Sequence, residues 1–385
     1  MLIQLLVIIK HFITYLFYHV FFILPVKKGQ FYFDSFYGRS FSCNPKYIFL
    51  HLLKQDVINI DNCYWTKRKD VKNFDINLNK KNYCIPWNLK TIKRIMTSEY
   101  IIVNTDIPYN IPIRKTQCYI NTWHGGGAYK RCGFDNPNEN TLFNRFRAFL
   151  RSKQMSYLIS SSEKFSAVMK TGLKLSSNIQ YLKFGMPRND ILFNKEFNVK
   201  KLRDYFGLSD SDLVVLYAPT YRSKNDNFVI EEFINNLNKI TCAFKSKFGK
   251  EVKYLFRAHY YYEKINCSNT IIDVTSYPDM QELLLLCDVL VTDYSSSIWD
   301  FAFLKKPCFL FCPDYSEYFN ERSFYTPIET WPGYFAGSSD ELIKMIDKYN
   351  YGEFERKLDF HINMLNSYED GHACEKFEEF INSRK

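Results

Sequence analysis

The stretch Cys287–Asp300 reads CDVLVTDYSSSIWD, and its pattern decides the fold that the sequence predicts. Asp288–Val291 is a short run rich in apolar, β-branched residues, which is typical of a buried parallel strand. Ser295, Ser296 and Ser297 then open a predicted helix, so that backbone N–H groups, hydroxyls and the positive end of a helix dipole follow the strand. This combination suits a phosphate or diphosphate, and ordinary N-capping by serine is the alternative.

Strands and helices alternate on both sides of this stretch. The predicted strands are Phe31–Ser35, Cys63–Thr66, Tyr100–Asn104, Tyr119–Thr122, Ser156–Ser160, Leu213–Ala218, Val252–Ala258, Ile271–Val274, Asp288–Thr292 and Cys308–Phe311. The predicted helices are Pro45–Lys54, Asn88–Thr97, Leu142–Lys153, Glu163–Thr171, Glu231–Phe248, Asp279–Cys287, Ser296–Lys305 and Asp340–Tyr349. Such alternation predicts an α/β fold of two doubly wound, Rossmann-like domains that face a cleft, with their boundary between about Asn189 and Lys200. A ligand is expected at the carboxyl ends of the strands, in that cleft.

Length and charge narrow the range of functions. A chain of 385 residues exceeds one ordinary domain, and its net charge of +10 suits an anionic partner such as lipid headgroups or nucleotide phosphates. The sequence carries no signature of a nucleic-acid-binding module, which argues against nucleic acid as that partner. The 11 cysteines lack the paired spacing of a zinc site and are expected to be reduced thiols in the cores.

The N-terminal stretch Met1–Leu24 is strongly apolar, and its polar side chains gather on one side of a helical wheel. This pattern favours a helix that lies in the membrane interface over one that spans the bilayer. A spanning helix and a helix buried on the protein itself are the alternatives. Lys27 and Lys28 follow Pro25 and can contact anionic headgroups.

Residues suited to catalysis follow the predicted strands of the first half. Tyr119–Thr122 leads directly into Trp123–Gly127, which reads WHGGG. His124 can act as a general base near neutral pH, and the glycines allow a substrate to approach the backbone closely. A purely structural histidine is the alternative. Lys130 lies just beyond and can contact an anionic group.

The second half presents basic and hydroxyl groups after several strands, namely Thr220, Arg222, Arg257, His259 and Arg322. Arg222 and Arg257 are candidate phosphate clamps, with surface salt bridges as the alternative. Where the halves join, Arg188 and Asp190 can pair with each other or face a ligand. The sequence has neither an Asp-x-Asp element in a loop nor a GxxxxGK[ST] phosphate loop, so we expect metal-independent binding and no NTPase activity.

Taken together and in this order, these motifs resemble the CDP-glycerol:poly(glycerophosphate) glycerophosphotransferase family, which includes wall teichoic acid primases and polymerases. The matching segments are Phe31–Gly38, Asn44–Pro45, Trp123–Gly125, Gly185–Asp190, Tyr217–Arg222, His259, Asp293–Asp300, Glu321–Tyr325 and Trp331–Gly333. The sequence departs from the family pattern at Gly126 and Gly127, where Thr-Pro is familiar, at Tyr260, where proline is usual, and at Ser323, where glycine is common.

The resemblance implies a two-domain fold of the glycosyltransferase-B type, a CDP-alditol donor, a membrane-bound acceptor, and neither a metal nor a cofactor. By the family's pattern the catalytic residues are His124, as the base, and His259, in contact with the donor diphosphate. The expected substrate-binding residues are Gly125, Gly126, Lys130, Arg188, Asp190, Thr220, Arg222, Arg257, Asp293, Ser295, Ser296, Ser297, Asp300 and Arg322.

Each part of the chain thus has an expected role. Residues 1–28 form a membrane-associating helix, residues 29–190 an acceptor-side domain, residues 191–365 a CDP-alditol domain, and residues 366–385 a C-terminal helix that packs back on the first domain. The expected reaction moves an alditol phosphate, with glycerol phosphate first, onto a hydroxyl of a lipid-linked saccharide or of a growing teichoic acid or capsule-type polymer, and releases CMP. The protein is expected as a peripheral protein on the inner leaflet of the plasma membrane. The alternatives are a nucleotide-sugar glycosyltransferase of the same fold and a membrane-attached binding protein without catalysis.

Overall fold

The computed structural model describes residues 2–71, 74, 76, 78–194, 197–220, 222, 228–257 and 270–384. The chain divides into two compact units. The first unit comprises Met1–Gly126, Cys132–Asp190 and Ser367–Lys385, and the second comprises Gly127–Arg131 and Ile191–Asn366. The sequence gives no sign that the short segment Gly127–Arg131 belongs with the second unit.

The first unit is built on a parallel sheet of seven strands. They are β1 (Lys27–Asp34), β2 (Cys63–Thr66), β3 (Tyr83–Cys84), β4 (Ser98–Val103), β5 (Cys118–Asn121), β6 (Tyr157–Ile159) and β7 (Gln180–Leu182). Their order is β3-β2-β1-β4-β5-β6-β7, and every neighbouring pair is parallel. The winding therefore reverses between β1 and β4, as in a doubly wound fold.

The helices of the first unit begin at residues with local capping chemistry. They are α1 (Leu2–Tyr18), α2 (Cys43–Lys54), α3 (Leu89–Thr97), α4 (Leu142–Gln154) and α5 (Glu163–Gly172), and α6 (Asp190–Phe193) lies at the boundary between the units. The side chains of Asn88, Thr141 and Ser162 accept backbone hydrogen bonds at the starts of α3, α4 and α5. Such caps satisfy N–H groups that have no partner inside the helix.

The second unit is also built on a parallel sheet, which has six strands. They are β8 (Leu213–Ala218), β9 (Val252–Phe256), β10 (Ile271–Asp273), β11 (Val289–Thr292), β12 (Cys308–Phe311) and β13 (Tyr334–Ala336). Their order is β10-β9-β8-β11-β12-β13, again with parallel pairing throughout. The winding reverses between β8 and β11.

Helices of the second unit are α7 (Val199–Tyr205), α8 (Phe228–Asn235), α9 (Leu237–Phe248), α10 (Met280–Leu286), α11 (Ser297–Ala302), α12 (Tyr315–Arg322), α13 (Ser339–Lys348) and α14 (Tyr351–Leu365). The final helix, α15 (Ala373–Asn382), belongs to the first unit. It lies against α2, where His51 Nε2 is 2.8 Å from Glu378 Oε2.

The second sheet is buried on both faces, which explains why its strands are continuous apolar runs. Val214 and Leu216 of β8 pack into one apolar cluster, and Val215 and Tyr217 pack into a second. Successive side chains of a strand point to opposite faces, so every position of this strand lies in a core. The two parallel sheets with their helices confirm the predicted α/β fold.

The structure also corrects some predicted elements. The single helix predicted over Glu231–Phe248 is two helices, α8 and α9, which are separated at Asn236 where the side chain donates to the carbonyl of Glu232 at 3.0 Å. The helix predicted to end at Lys305 ends at Ala302. The short strands β3, β7 and β13, of two or three residues each, were not predicted.

The N-terminal helical region contains one stretch, Gln4–Ile23, that is long and apolar enough to cross a membrane, with a mean hydropathy of 1.8 and none of its window buried. It contacts α4 and the loop between β4 and β5 through His11, whose ring lies 4.9 Å from that of Tyr109 and 6.1 Å from that of Phe143. Its exposed apolar side chains are Leu5, Leu6, Ile9, Phe12, Ile13, Leu16, Phe17, Val20, Phe22 and Ile23. This exposed apolar face argues against burial on the protein itself, and its membrane contact stays a prediction.

Candidate active site

The carboxyl ends of three neighbouring strands bring four polar side chains together in the second unit. Thr220 and Arg222 follow β8, Asp293 follows β11, and Asp314 follows β12. The backbone N–H of Thr220 donates to Asp293 Oδ2 at 2.9 Å, and Arg222 Nη2 lies 2.9 Å from the same oxygen. Arg222 Nε donates to Asp314 Oδ2 at 2.6 Å. The order of the strands builds this cluster, as the strand-end pattern predicts.

Arg222 is held inside the protein by these contacts, with 8% of its side chain exposed. Its guanidinium carbon lies 5.1 Å from the ring centre of Tyr294 and 4.8 Å from that of Tyr318. Burial alone would lower the pKa of Arg222, but Asp293 and Asp314 outweigh it and raise that pKa. Arg222 is thus a buried cation held between two carboxylates, rather than a member of a surface salt bridge.

The segment Gly127–Arg131 places a lysine beside this cluster. Lys130 and Phe324 form an isolated antiparallel bridge, and the N–H of Arg131 donates to the carbonyl of Ser323 at 3.2 Å. The bridge lies next to Arg322, the last residue of α12. Main-chain pairing therefore holds Lys130 and Arg322 near each other.

The pKa of Lys130 reflects these surroundings. Burial lowers this pKa to about 8, against the attraction of Asp293 and with added repulsion from Arg322 and Arg222. Arg322 is exposed at the edge of the group and Lys130 is half-buried. Three cations thus lie near two aspartates, Asp293 and Asp314, so that one positive charge remains in excess and a further anion, such as a phosphate, would relieve repulsion.

Ser323 has backbone angles that normally require glycine. Its φ is 56° and its ψ is 167°. This region is almost restricted to glycine, because a Cβ atom clashes with the backbone there. The family's usual glycine is therefore explained at this position, and the serine carries backbone strain between Arg322 and the bridge residue Phe324.

The three serines lie at the start of α11, which has six residues. Ser296 makes no side-chain capping bond, so the simple N-capping interpretation does not hold for it. Ser297 Oγ instead donates to Ser295 Oγ at 2.9 Å. Ser295 and Ser296 are half-buried and Ser297 is buried, and their contact with a phosphate stays a prediction.

Arg257 and Asp300 bind neighbouring parts of the protein. Arg257 Nη1 donates to the carbonyl of Tyr277 at 2.7 Å, and burial lowers the pKa of Arg257. Asp300 is buried and accepts from Gln281 Nε2 at 2.9 Å. These contacts anchor the loop after β10 and the helices α10 and α11, and any contact of Arg257 or Asp300 with substrate remains a prediction.

His124 lies in the first unit and is exposed. Its Nδ1 is 2.7 Å from the carbonyl oxygen of Asn104, and its ring stacks on Trp123 at 4.9 Å and meets the edge of Phe36 at 5.7 Å. A carbonyl oxygen only accepts, so Nδ1 carries the proton and Nε2 carries the lone pair of the neutral ring. This tautomer is the one that a general base requires.

Asn104 is a residue that the motif pattern missed. Besides accepting from His124 with its carbonyl, it accepts from the N–H of Phe36 through Oδ1 at 2.9 Å. Asn104 therefore fixes the histidine ring and one of its aromatic neighbours together. The only signal in the sequence is a polar residue directly after the apolar strand β4.

The glycines after His124 have different neighbours. Gly125 is half-buried, and the carbonyl of buried Gly126 accepts from Ser161 Oγ at 3.1 Å. Both lie in the first unit with His124. Their contact with substrate stays a prediction.

Gly127 makes room for a buried tyrosine. A Cβ atom on Gly127 would lie 2.3 Å from the ring of Tyr129, which packs 4.4 Å from Trp331. His361 Nδ1 lies 2.7 Å from the carbonyl oxygen of Thr330, so His361 Nε2 accepts from the hydroxyl of Tyr129 at 3.0 Å. Burial lowers the pKa of His361 to about 4. The glycine thus serves packing inside the second unit.

Arg188 and Asp190 have structural contacts in the first unit. Arg188 is 4% exposed and its Nη1 lies 3.2 Å from Cys43 Sγ. Asp190 accepts from the N–H groups of Ala373 and Cys374 at 3.0 and 2.7 Å, which caps α15. Asp190 thus holds α15 and Arg188 contacts α2, and contact of either residue with a ligand remains a prediction.

His259, the second expected catalytic residue, lies outside the described residues. Across the described part of the chain, no group of three or more His, Cys, Asp or Glu side chains is placed to hold a metal ion.

Each of the two parallel sheets has this strand order and carries residues suited to ligand binding at its strand ends. This architecture defines a doubly wound α/β protein of the glycosyltransferase-B class. A variant of the wall teichoic acid polymerase TagF, in a structure with CDPG, matches with a TM-score of 0.80 and 24% identity over 99% of this chain and 97% of that chain. A protein described as a UDP-N-acetylglucosamine 2-epimerase from Listeria monocytogenes matches with a TM-score of 0.52 and 12% identity over 92% of this chain and 96% of that chain. These matches support the fold alone.

The model of the CDP-glycerol:poly(glycerophosphate) glycerophosphotransferase family matches residues 16–383. The chain belongs to this family, and it is therefore a transferase enzyme. The teichoic acid poly(glycerol phosphate) polymerase of Bacillus spizizenii is 29% identical over 88% of both chains. The polymerase of that name from Bacillus subtilis is 27% identical over 88% of this chain, which spans only 46% of that relative. The teichoic acid glycerol-phosphate transferase of Staphylococcus aureus is 27% identical over 91% of this chain and 92% of that one.

Proposed function

We propose that this chain transfers glycerol phosphate from CDP-glycerol to a hydroxyl of a lipid-linked saccharide or of a growing teichoic acid-type polymer, and releases CMP. The observation that carries the proposal is the group of Lys130, Arg222 and Arg322 around Asp293 at the strand ends of the second unit. Membership of the family and the names of the relatives support the donor and the class of product.

The second unit takes the role of the donor side. Arg222 is bound to Asp293 and Asp314, so Lys130 and Arg322 are the cations that contact the diphosphate, with Ser295 and Ser296 as hydroxyl donors. When the bond between the two phosphates breaks, negative charge grows on the departing CMP. Positioned cations stabilise that charge more in the transition state than in the ground state, which is how phosphoryl transfer is accelerated.

The first unit takes the role of the acceptor side. His124 Nε2 removes the proton of the acceptor hydroxyl, while Nδ1 keeps its hydrogen bond to Asn104. The acceptor oxygen then forms a bond to the β-phosphorus, and the bridging oxygen leaves with CMP. The reaction needs no oxidant or reductant, and the proton finishes on the imidazole ring.

The test is a comparison of labelled donors. Purified protein and acceptor receive radiolabelled CDP-glycerol, CDP-ribitol and UDP-sugars in parallel, and mass spectrometry identifies the product. We expect a product one or more glycerol phosphate units heavier, with CMP released in equal amount. Label transferred from a UDP-sugar alone would refute the proposal in favour of a glycosyltransferase, and the absence of turnover with every donor would favour a binding protein.

The N-terminal helix is proposed to hold the enzyme on the cytoplasmic face of the membrane. Its exposed apolar side chains and the following Lys27 and Lys28 suit an anionic interface. Deletion of residues 1–26 should weaken liposome binding and lower activity on a lipid-embedded acceptor, while activity on a soluble acceptor survives. Equal liposome binding by the full and truncated proteins would refute this role.

A further inference from the structure

A cavity of about 540 Å³ opens in the first unit at residues that the expected site does not include. Its walls carry Tyr37, Arg68, Trp87 and Tyr109, which follow β1, β2, β3 and β4, and Arg147 of α4. Its volume lies within the range of roughly 300–1,000 Å³ that is usual for ligand pockets. The carboxyl ends of parallel strands are the edge at which doubly wound proteins bind ligands.

The wall of this cavity has an excess of positive charge. Its two acidic residues are paired with arginines: Arg68 Nη2 lies 3.0 Å from Asp70 Oδ2, and Arg151 Nη2 lies 2.5 Å from Asp106 Oδ2. The remaining lining cations are Arg39, Lys69 and Arg147. Among the described residues that line the cavity, positive charge therefore exceeds negative charge, which suits an anionic ligand.

Arg147 of α4 lines the cavity beside Tyr109. Its Nε is buried and has no hydrogen-bond partner in the part of the chain that the structure describes. Its guanidinium carbon lies 5.4 Å from the ring centre of Tyr109. Because Arg147 lines the cavity, its planar guanidinium is well placed for a phosphate oxygen.

Two aromatic residues of the wall have strained backbones. Trp87 is 71% exposed with φ at 64°, and Tyr37 is 38% exposed with φ at 57°. Positive φ values cost free energy in residues of this size, and such strain collects at ligand sites. Exposed aromatic rings also offer a flat apolar surface on which the C–H face of a sugar can pack.

The cavity continues inward to a buried carboxylate. A second space of about 30 Å³ shares Tyr37, Trp87 and Asp106 with the first and is lined by Asp34. Asp34 is 7% exposed, and its Oδ1 has no hydrogen-bond partner among the described residues. The space holds about one water-sized group, and Asp34, whose carboxylate also has hydrogen bonds with Thr66 and with the backbone of Tyr37 and Gly38, is one of the residues that line it. Burial raises the pKa of Asp34 to about 6.

The geometry points to this cavity as a binding site for a phosphorylated saccharide. The phosphate contacts Arg147 and Lys69, the sugar ring packs on Trp87 and Tyr37, and one hydroxyl donates to Asp34. Because this ligand is taken to be part of the acceptor, the inference rests on the proposed function.

The surroundings of the cavity agree with an acceptor that is fixed in a membrane. Tyr109, in its wall, contacts His11 of α1, the helix with the exposed apolar face. Tyr37, also in its wall, directly follows Phe36, whose ring lies 5.7 Å from that of His124. The cavity therefore lies in the same unit between the helix proposed to meet the lipid and the histidine proposed to deprotonate the acceptor.

The first experiment measures binding without any donor. Glucose 1-phosphate is titrated into the full chain while tryptophan fluorescence is recorded, since Trp87 is exposed, Trp123 is half-buried and Trp65, Trp299 and Trp331 are buried. We expect a saturable change that Trp87→Phe abolishes and that Arg147→Met weakens by at least about tenfold, as loss of a charge-assisted contact does. Lys90→Met removes an exposed charge outside the cavity and should leave binding unchanged. Circular dichroism confirms that each variant is folded.

Defined results would overturn the inference. If glucose binds as tightly as glucose 1-phosphate, the proposed phosphate contact is wrong. If inorganic phosphate binds equally well, the proposed sugar contact is wrong. Equal competition by phosphatidylglycerol vesicles would assign the cavity to a lipid headgroup. Equal weakening by Lys90→Met and Arg147→Met would show a general charge effect.

A second readout separates this inference from the proposed function. With CDP-glycerol as donor, Arg147→Met should raise KM for the phosphorylated acceptor and leave the Kd for CDP-glycerol unchanged. A raised Kd for CDP-glycerol, or an unchanged KM for the acceptor, would refute the acceptor role. If the wild-type protein turns over no CDP-glycerol, the proposed function fails, while the fluorescence titration still decides whether the cavity binds a saccharide phosphate.

Discussion

Lys130 should couple donor binding to pH, and this coupling tests whether the cluster in the second unit holds the diphosphate. The perturbation is a change of pH from 7 to 9. In the free protein the pKa of Lys130 is lowered to about 8 by burial, so the ammonium is half deprotonated at pH 8. A diphosphate beside it favours the charged form and raises the pKa again.

The magnitude follows from this shift. If the bound diphosphate returns the pKa of Lys130 to the ordinary lysine value of about 10.4, affinity falls about tenfold between pH 7 and pH 9. The sign is fixed, since only the protonated lysine attracts the anion and the free protein loses that proton as pH rises through 8. At pH 9 each binding event should take up about 0.9 protons, compared with about 0.1 at pH 7. The diphosphate of CDP-glycerol stays ionised across this range, so the protons bind to the protein.

The assay is isothermal titration calorimetry with CDP-glycerol at pH 7, 8 and 9, in buffers that differ in ionisation enthalpy. Lys130→Arg should bind with an affinity independent of pH, because arginine keeps its charge. Lys130→Met should bind weakly at every pH. The control is Lys357→Met, since burial also lowers the pKa of Lys357 but its Nζ donates to the carbonyl of Gly333. Wild-type affinity that is constant from pH 7 to 9, or proton uptake that persists in Lys130→Arg, would refute the reasoning.

Three further predictions follow from contacts described above. His124→Ala should lower kcat by roughly 10²–10⁴-fold, the usual contribution of a general base, with the Kd for CDP-glycerol unchanged in calorimetry; near-normal turnover in the folded variant would mean another base. Gly127→Ala should destabilise the protein in urea unfolding by about 1–3 kcal/mol, because the added methyl group overpacks against Tyr129. Gly352→Ala, within α14 and without close contacts, should instead stabilise the protein by about 0.5–1 kcal/mol. Equal effects of the two substitutions would refute the packing role of Gly127. The pKa of His361 is lowered from 6.5 to about 4, so its contribution to stability is complete above pH 6.5 and is lost toward pH 4. In urea unfolding this loss should amount to about 3 kcal/mol in the wild-type protein and should be absent in His361→Asn. An identical pH profile in the variant would contradict this.

Elements buried on both faces were the most predictable from sequence. β8 and β12 have the predicted bounds because a parallel strand with two cores must be apolar at every position. Edge strands such as β3, with two residues, have no pattern to detect. The break at Asn236 was missed because an apolar pattern continues from α8 into α9 without glycine or proline.

The candidate site shows the same division between local and long-range information. Thr220 and Asp293 were predicted together because each directly follows a strand, and parallel strands end at one edge of a sheet. The pairing of Lys130 with Phe324 has no local signature, because these residues are almost two hundred positions apart. Likewise, the sequence around Arg257 does not indicate that its side chain donates to the carbonyl of Tyr277. Main-chain partners of this kind depend on the folded backbone.

The passage of the chain between the two units has a consequence for its biosynthesis. Asp190 caps α15, yet Ser367–Lys385 is translated more than 170 residues after Asp190. At a translation rate of about 5–20 residues per second, the ribosome needs about 10–40 s to cover that distance. Throughout this interval the nascent first unit lacks the helix that covers α2, and the second unit already draws on Gly127–Arg131 from within it. The first unit therefore cannot be completed before the second unit has been synthesised, and the apolar surface that α15 later covers is a target for chaperones during synthesis.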